Sequence, residues 1–243
     1  RVELKRNHLA SPRLPKAFSG FTILQLSDLH VDMSQEAMRQ LETLVAPLKY
    51  DVCVITGDFR GRLFGPYLDT LAQLASITEA LSGPLYGVLG NHDTAAMVPG
   101  LEKLGVCMLL NESVAIERGS DRIHIAGIDD THFYRSGSID RAAAGMPRDE
   151  FSVLISHTPE VYREAERAGF DVMLSGHTHG GQICLPGGIP ITLDAKLRDV
   201  EGVQHVLRRH VHLHGAPDRH HQLRRRGLGG AGLIEVPRPL LAA

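Results

Sequence analysis

The sequence predicts an α/β domain built in layers, and three observations support this fold class. The chain has 243 residues, of which 43% are hydrophobic, so it can bury one sizeable core. Short apolar runs rich in β-branched residues are typical of strands that are covered on both faces. Segments with helical spacing of apolar residues lie between several of these runs, and this alternation favours an α/β fold.

The predicted elements follow in chain order. Five buried strands are expected at Phe21–Leu26, Asp51–Thr56, Pro84–Leu89, Phe151–Ser156 and Phe170–Ser175. Helical spacing predicts helices at Gln35–Leu48 and Tyr67–Leu81. An antiparallel meander is expected where three further runs follow one another without a helix: Val106–Leu110, Val114–Glu117 and Arg122–Ala126. We therefore expect two sheets.

Each buried strand is followed by side chains that bind metals or transfer protons. They are Asp28 and His30, Asp58, Asn91 with His92 and Asp93, His157, and His177 with His179. Ligands of open α/β sheets bind outside the carboxyl ends of the strands. We therefore expect these five segments to converge on one site.

The donor set indicates two metal ions rather than one. The candidate ligands are Asp28, His30, Asp58, Asn91, His157, His177 and His179. Seven ligands are too many for one tetrahedral zinc but suit two ions that share a carboxylate. Nitrogen and oxygen donors favour Mn, Fe, Zn or Co, and the residue types do not choose among these. Two such ions activate a bridging water and stabilise charge on a phosphoryl group, so the expected reaction is phosphoester hydrolysis by a metal-bridged hydroxide.

Two further groups of residues lie beside the candidate ligands. His92 follows Asn91 and is expected to act as the general acid that protonates the leaving group, with Asp93 orienting its imidazole. Arg60 and Arg62 follow Asp58 closely and are expected to bind a substrate phosphate. The alternative for these two is a solvated position in the loop.

Five motifs resemble those of the calcineurin-like metallophosphoesterase superfamily. They are Asp28-x-His30, Gly57-Asp58, Gly90-Asn91-His92-Asp93, His157 and Gly176-His177-x-His179. The segments 26–30 and 176–183 look like the bacterial YaeI/YkuE-like phosphodiesterase branch. The resemblance implies a four-layer α-β-β-α sandwich of two mostly mixed β-sheets flanked by helices. It also implies one metal on Asp28, His30 and His179, a second on Asn91, His157 and His177, and Asp58 as the bridge.

The composition changes after residue 197. The chain up to that point carries a net charge of −6, whereas 198–243 carries +4 and six histidines. We predict a catalytic domain over 1–197 and an atypical, basic His/Arg-rich segment over 198–243. This segment is either solvated and poorly ordered, or completes part of a sheet, or binds anionic lipid headgroups, or binds metal adventitiously, or results from a local reading-frame error in the source sequence.

The charge balance also bears on the partners. A net charge of −2 gives no basic surface of the kind that nucleic acids need, so no nucleic acid is expected to bind. The expected partner is a phosphoester substrate, with lipid-linked pyrophosphates and diesters among the options, and peripheral membrane association is a further option. Localisation stays open between a soluble protein and one anchored by a segment upstream of Arg1. A non-catalytic binding scaffold on the same fold is the second hypothesis.

Overall fold

The computed structural model describes Val2, residues 4–177 and, beyond them, the backbone of five strands. The strands are Leu4–Ala10 (β1), Thr22–Ser27 (β2), Val52–Ile55 (β3), Leu85–Gly87 (β4), Val106–Met108 (β5), Glu112–Arg118 (β6), Asp121–Gly127 (β7), Phe151–Ser156 (β8), Val172–Ser175 (β9), Ile183–Leu185 (β10), Ile189–Thr192 (β11), Gln204–Val206 (β12), His212–His214 (β13) and Gly230–Glu235 (β14). The α-helices are Gln35–Val45 (α1), Leu68–Ala80 (α2), Val98–Lys103 (α3), Ile139–Ala142 (α4) and Tyr162–Ala168 (α5). Among these described helices, none has the length and apolar character that crossing a membrane requires.

The strands form two main sheets, in agreement with the prediction. In the described strands, the order in the first sheet is β13-β1-β14-β2-β3-β4-β5, and in the second it is β12-β9-β8-β7-β6. Strands β2 to β5 run parallel to one another, as do β7, β8 and β9. Both sheets are mixed, because β14 pairs antiparallel with β2 and β6 pairs antiparallel with β7.

Alternate side chains of the central strands enter different layers. In β2, Ile23 lies between the two sheets, whereas Leu24 joins the cluster that contains side chains of α1 and α2. In β8, Val153 lies between the sheets, whereas Leu154 joins the cluster that contains side chains of α4 and α5. The four-layer α-β-β-α sandwich is therefore confirmed. Burial on both faces is the reason why these strands are continuous apolar runs in the sequence.

The predicted meander is wrong in its first strand. Strand β5 joins the first sheet parallel to β4, and only β6 and β7 form an antiparallel hairpin. A parallel pair needs a crossover connection, which here contains α3. Pro99 and Gly100 lie in α3, so this short helix lacks a helical signal in the sequence. Asn111, with a φ of 67°, lies where the chain leaves β5 in the first sheet and enters β6 in the second.

Part of the chain after residue 198 pairs with the main sheets. Strand β14 lies between β1 and β2, and β12 pairs with β9 at the edge of the second sheet. These backbone pairings favour the alternative in which the C-terminal segment completes part of a sheet. The division of the chain at 197 stays a prediction.

Candidate metal centre

The loops that follow β2, β3, β4, β8 and β9 meet at the carboxyl ends of these strands. The backbone N–H of Asp28 donates to the Gly57 carbonyl, and that of His30 donates to the Asp58 carbonyl, each at 3.1 Å. The N–H of His177 donates to the Asp28 carboxylate at 3.1 Å. The candidate ligands that these loops bring together are Asp28, His30, Asp58, Asn91, His157 and His177. His179 lies outside the described residues.

The carboxylate of Asp58 lies at the centre of this cluster. Its Oδ2 is 3.4 Å from the Nε2 atom of His157, 3.7 Å from that of His30 and 4.0 Å from that of His92. Its Oδ1 accepts a hydrogen bond of 3.0 Å from the backbone N–H of His92. Asp58 is buried, so its negative charge acts in a medium that screens it weakly.

His157 joins two further candidate ligands to this centre. Its Nε2 lies 2.8 Å from Oδ1 of Asn91 and 3.2 Å from Nδ1 of His177. The side chain of His157 is fully buried. Donor atoms from the loops after β4, β8 and β9 therefore lie within hydrogen-bond distance of one another.

Three imidazoles are held in the same way. In His30, His157 and His92, Nδ1 lies against a backbone carbonyl, and Nε2 faces Asp58. The carbonyls are those of Arg60, Thr56 and Gly61, at 2.9, 2.9 and 2.7 Å. A carbonyl only accepts, so each Nδ1 carries a proton and donates it. This arrangement, which is usual around metal-binding histidines, leaves Nε2 of His30 and His157 available as a ligand.

Several candidate ligands have a left-handed backbone. Positive φ occurs at Asp28 (51°), His30 (41°), Asp58 (55°) and His177 (68°). Among the described residues, only Asn111 and Arg135 are further non-glycine examples. The left-handed region costs free energy for a residue with a side chain, and such residues cluster at functional sites. The backbone here is bent to aim these side chains at the cluster.

Gly90 is required for the close approach of the β3 and β4 loops. A Cβ atom at Gly90 would lie 2.2 Å from Oδ1 of Asp58 and 2.5 Å from its backbone nitrogen. These distances are far below van der Waals contact, and one of the clashing atoms is backbone. Any side chain at position 90 would therefore displace Asp58, so the Gly90-Asn91-His92-Asp93 motif needs a glycine there.

We expect Gly90→Ala to lower phosphoester hydrolysis about 10–100-fold, because the new methyl group displaces Asp58. Turnover of bis(p-nitrophenyl) phosphate and metal content, measured on the same preparation, test this. Gly105→Ala is a control for lost stability alone, since its φ of +85° is unfavourable for alanine but nothing lies within 4 Å of its Cβ. That control should lose stability and retain activity. Wild-type turnover in Gly90→Ala would contradict the assignment.

The carboxylate of Asp93 holds the loops after β3 and β4 together. Its Oδ1 accepts from the N–H groups of Phe59 and Arg60 at 3.0 and 3.3 Å, and its Oδ2 accepts from Gly90 N–H at 2.9 Å. The His92 imidazole contacts the Gly61 carbonyl through Nδ1, and its orientation by Asp93 stays a prediction. Burial and the nearby Asp58 charge raise the pKa of Asp93 to about 7.

The two arginines that were expected to bind phosphate lie in different surroundings. Arg60 is buried, and its guanidinium donates to the carbonyls of His92, Gly65 and Leu63 at 2.5, 3.2 and 2.8 Å. It therefore braces the loop after β3 against His92. Arg62 is exposed in that loop. Binding of substrate by either arginine stays a prediction.

Two residues that sequence reasoning did not select lie beside the cluster. The ring of His132 is 5.0 Å from that of His177, and its Nδ1 lies 3.2 Å from a carboxylate oxygen of Glu160. The hydroxyl of Tyr134 donates to the carbonyl of Asp93 at 2.9 Å. Both residues belong to the loop after β7, which is an additional strand end of the second sheet. Only that topological position could have indicated them.

The donor separations fit metal ions. Two ligands at about 2.1 Å from one tetrahedral ion lie about 3.4 Å apart, and the Nε2 atoms of His157 and His30 lie at nearly that distance from Asp58. Within the described residues, two groups hold their donor atoms within 4.8 Å: His30, Asp58 and His92, and Asp28, Asp58 and His157. Asp58 belongs to both groups. A carboxylate shared in this way fits a centre with two ions.

Comparison with known proteins identifies the family. The model of the calcineurin-like phosphoesterase family matches residues 21–181, which contain all five motifs. The chain belongs to this family. The superfamily resemblance drawn from the motifs is thus confirmed, and the relatives of this chain include proteins of the YaeI/YkuE-like branch.

Three relatives illustrate the range of this family. The chain is 32% identical to the uncharacterized metallophosphoesterase YkoQ of Bacillus subtilis over 179 residues, which cover 68% of the chain and 63% of YkoQ. It is 25% identical to the phosphodiesterase YaeI of Escherichia coli, with 79% and 73% covered. It is 26% identical to the UDP-2,3-diacylglucosamine pyrophosphatase LpxG of Chlamydia muridarum, with 72% and 69% covered. The chain thus spans less than two thirds of YkoQ.

Proposed function

We propose that this protein is a phosphohydrolase with two divalent metal ions and that it cleaves phosphodiester or pyrophosphate bonds. The observation that carries this proposal is the buried Asp58 carboxylate, which is shared by two donor groups and faced by three Nε2 atoms. When bound, two divalent ions supply Lewis acidity toward the attacking water and the phosphoryl oxygens. Mn, Fe, Zn and Co all suit the nitrogen and oxygen donors.

The ligands divide into two sets in this proposal. Asp28, His30 and His179 hold one ion, and Asn91, His157 and His177 hold the other, with Asp58 between them. The contacts of His157 with Asn91 and His177 support the second set. Hydrogen bonds from Nδ1 to backbone carbonyls keep His30 and His157 in the tautomer that binds through Nε2.

His92 is the proton donor in this proposal. The Gly61 carbonyl holds the proton on Nδ1, so the proton that the imidazolium releases is the one on Nε2. The side chain of His92 is partly exposed, whereas that of His157 is fully buried. A substrate can therefore reach His92. Protonation of the departing oxygen by Nε2 removes the need to expel an alkoxide.

The printed names of two relatives support the bond type. YaeI is named a phosphodiesterase, and LpxG is named a pyrophosphatase that acts on a diacylated sugar nucleotide. Both names describe hydrolysis at a phosphorus centre with two substituents, which are two ester groups in a phosphodiester and one ester and one anhydride group in a pyrophosphate. We therefore place phosphodiesters and pyrophosphates ahead of monoesters, with a lipid-linked substrate as one option.

The test is metal-dependent hydrolysis by the purified chain. Protein stripped of metal should bind two Mn²⁺ per chain and then hydrolyse bis(p-nitrophenyl) phosphate faster than p-nitrophenyl phosphate. Removal of the metal with EDTA should abolish both activities, and added Mn²⁺ should restore them. Failure to hydrolyse either ester with metal bound would exclude the proposal. A chain that binds no metal at neutral pH would instead favour the non-catalytic scaffold.

A further inference from the structure

Large apolar side chains are exposed around the proposed site. Among the described residues, the exposed large hydrophobic side chains are Met33, Leu63, Phe64, Leu68, Phe133 and Tyr134. All six follow the carboxyl ends of strands: one after β2, three between β3 and the first turn of α2, and two after β7. We call this set the apolar rim. Phe64 is 79% exposed and Phe133 is 55% exposed, so these rings protrude into solvent.

Hydrogen bonds join the apolar rim to the site. The N–H of Met33 donates to the His30 carbonyl at 2.8 Å, and the hydroxyl of Tyr134 donates to the Asp93 carbonyl at 2.9 Å. Arg60 donates to the Leu63 carbonyl and to the His92 carbonyl. The same loops therefore hold the candidate metal centre and the apolar rim.

Neighbouring loops of the rim also contact one another. Met33 lies so close to Gly61 that a Cβ atom there would be 2.3 Å from its Cγ. The rings of Phe133 and Tyr134 pack edge to face with centroids 5.0 Å apart. Asp130 accepts from the N–H groups of both residues at 2.6 Å, which fixes the turn that presents them. Contacts between and within these loops therefore hold the rim in place.

Two exposed arginines beside the rim indicate what covers it. Arg62 is exposed between Gly61 and Leu63, and Arg135 is exposed directly after Tyr134. The acidic neighbours include Asp69, exposed on α2, and Asp32, whose carboxylate accepts from the N–H of Gly61. Exposed apolar side chains next to arginines are typical of surfaces that enter an anionic lipid layer. Concentrated exposed apolar surface on a soluble domain marks an interaction site.

We infer that the apolar rim inserts into an anionic lipid surface and receives the acyl chains of an amphiphilic phosphoester, whose phosphate reaches the Asp58 centre. This inference rests on the proposed function for the identity of the bond that is cleaved. A molecule that occupies both the apolar rim and the Asp58 centre must carry an apolar chain and an anionic phosphate. A phosphoester lipid in a membrane meets both requirements.

Vesicle binding tests the rim without any turnover. The purified chain should sediment with vesicles that contain phosphatidylglycerol and much less with vesicles of phosphatidylcholine alone. Phe64→Ser combined with Phe133→Ser should weaken binding to the anionic vesicles about tenfold or more. Arg135→Gln should weaken it too, whereas Arg167→Gln, an exposed change on α5, should not. Equal sedimentation of the wild type and the double variant would overturn the inference.

Two substrates with the same leaving group test whether the apolar rim binds an alkyl chain of the substrate. With Mn²⁺ bound, the wild type should hydrolyse p-nitrophenyl hexadecyl phosphate with a kcat/KM at least about tenfold above that for p-nitrophenyl methyl phosphate. The double rim variant should lose this preference and keep its activity on the methyl ester. Hydrolysis of both esters at equal rates, without vesicle binding, would overturn the rim and leave the proposed function standing. Vesicle binding without hydrolysis of either ester would support the rim and exclude the proposed function.

A second copy of this chain is the other possible occupant of the apolar rim, and light scattering tests for it. Light scattering should show the same mass for the wild type and for the Phe64→Ser, Phe133→Ser variant. A wild-type dimer that the double variant converts to monomer, with no vesicle binding by either, would overturn the inference in favour of a second copy of this chain.

Discussion

Replacing Asp58 by asparagine is expected to reduce phosphoester hydrolysis on the order of 10³-fold or more and to lower the metal content below two ions per chain. Asparagine keeps the shape of the side chain but removes the charge that the two donor groups share. Loss of metal activation removes several kcal/mol of transition-state stabilisation, and about 1.4 kcal/mol corresponds to a tenfold change in rate. Elemental analysis after dialysis against Mn²⁺, together with turnover of bis(p-nitrophenyl) phosphate, measures both effects.

Asp51 offers a matched control for Asp58, because the two carboxylates flank the same strand. Asp51 precedes β3, accepts from the N–H of Thr22 at 2.7 Å and pairs with Arg118. It lies at the amino end of the strand, away from the candidate metal centre. Asp51→Asn should lower the stability of the fold and leave metal content unchanged. If Asp58→Asn behaves like Asp51→Asn, the central role of Asp58 is wrong.

Replacing His92 by glutamine is expected to lower kcat about 10²- to 10⁴-fold while two ions stay bound. Glutamine cannot supply the Nε2 proton of an imidazolium to the departing oxygen. The loss should be greater for a phenyl diester than for a p-nitrophenyl diester, because p-nitrophenolate leaves more readily without a proton. This dependence on the leaving group distinguishes a proton donor from a residue that only shapes the site.

His124 is the control for His92. It lies in β7, where its Nε2 is 2.6 Å from the Glu150 carboxylate, and no described contact links it to Asp58. His124→Gln should keep metal content, kcat and the leaving-group dependence. A His92→Gln protein that loses metal would show that His92 is a ligand, a role for which its place in the group with His30 and Asp58 gives the geometry.

Much of the fold follows from local patterns in the sequence. The five buried strands could be predicted because burial on both faces leaves an uninterrupted apolar run, and the helix at Gln35–Val45 because its apolar residues keep helical spacing. The pairing of β5 could not be predicted, because the crossover helix α3 carries Pro99 and Gly100 and has no helical pattern. Pairing also depends on where the chain goes after a strand, which local composition does not record.

Part of the candidate site could likewise be predicted from the sequence, and part could not. The strand-end positions of Asp28, Asp58, Asn91 and His157 could be predicted, since ligands gather at the carboxyl ends of parallel strands. The orientation of His92 by Asp93 stays a prediction, and at Nδ1 the imidazole contacts the Gly61 carbonyl. Adjacency in sequence places two residues near each other but does not set the direction of their side chains.

The sequence by itself determined the family of this protein, the layered α/β fold and the chemistry of its donor set, because these depend on residue types and spacing along the chain. Only the tertiary structure decided which imidazole nitrogen faces Asp58, which residues adopt left-handed backbone and that three separate loops gather the apolar rim. The physical reason is that each of these features depends on contacts between residues tens of positions apart. Such contacts exist only once the two sheets have packed.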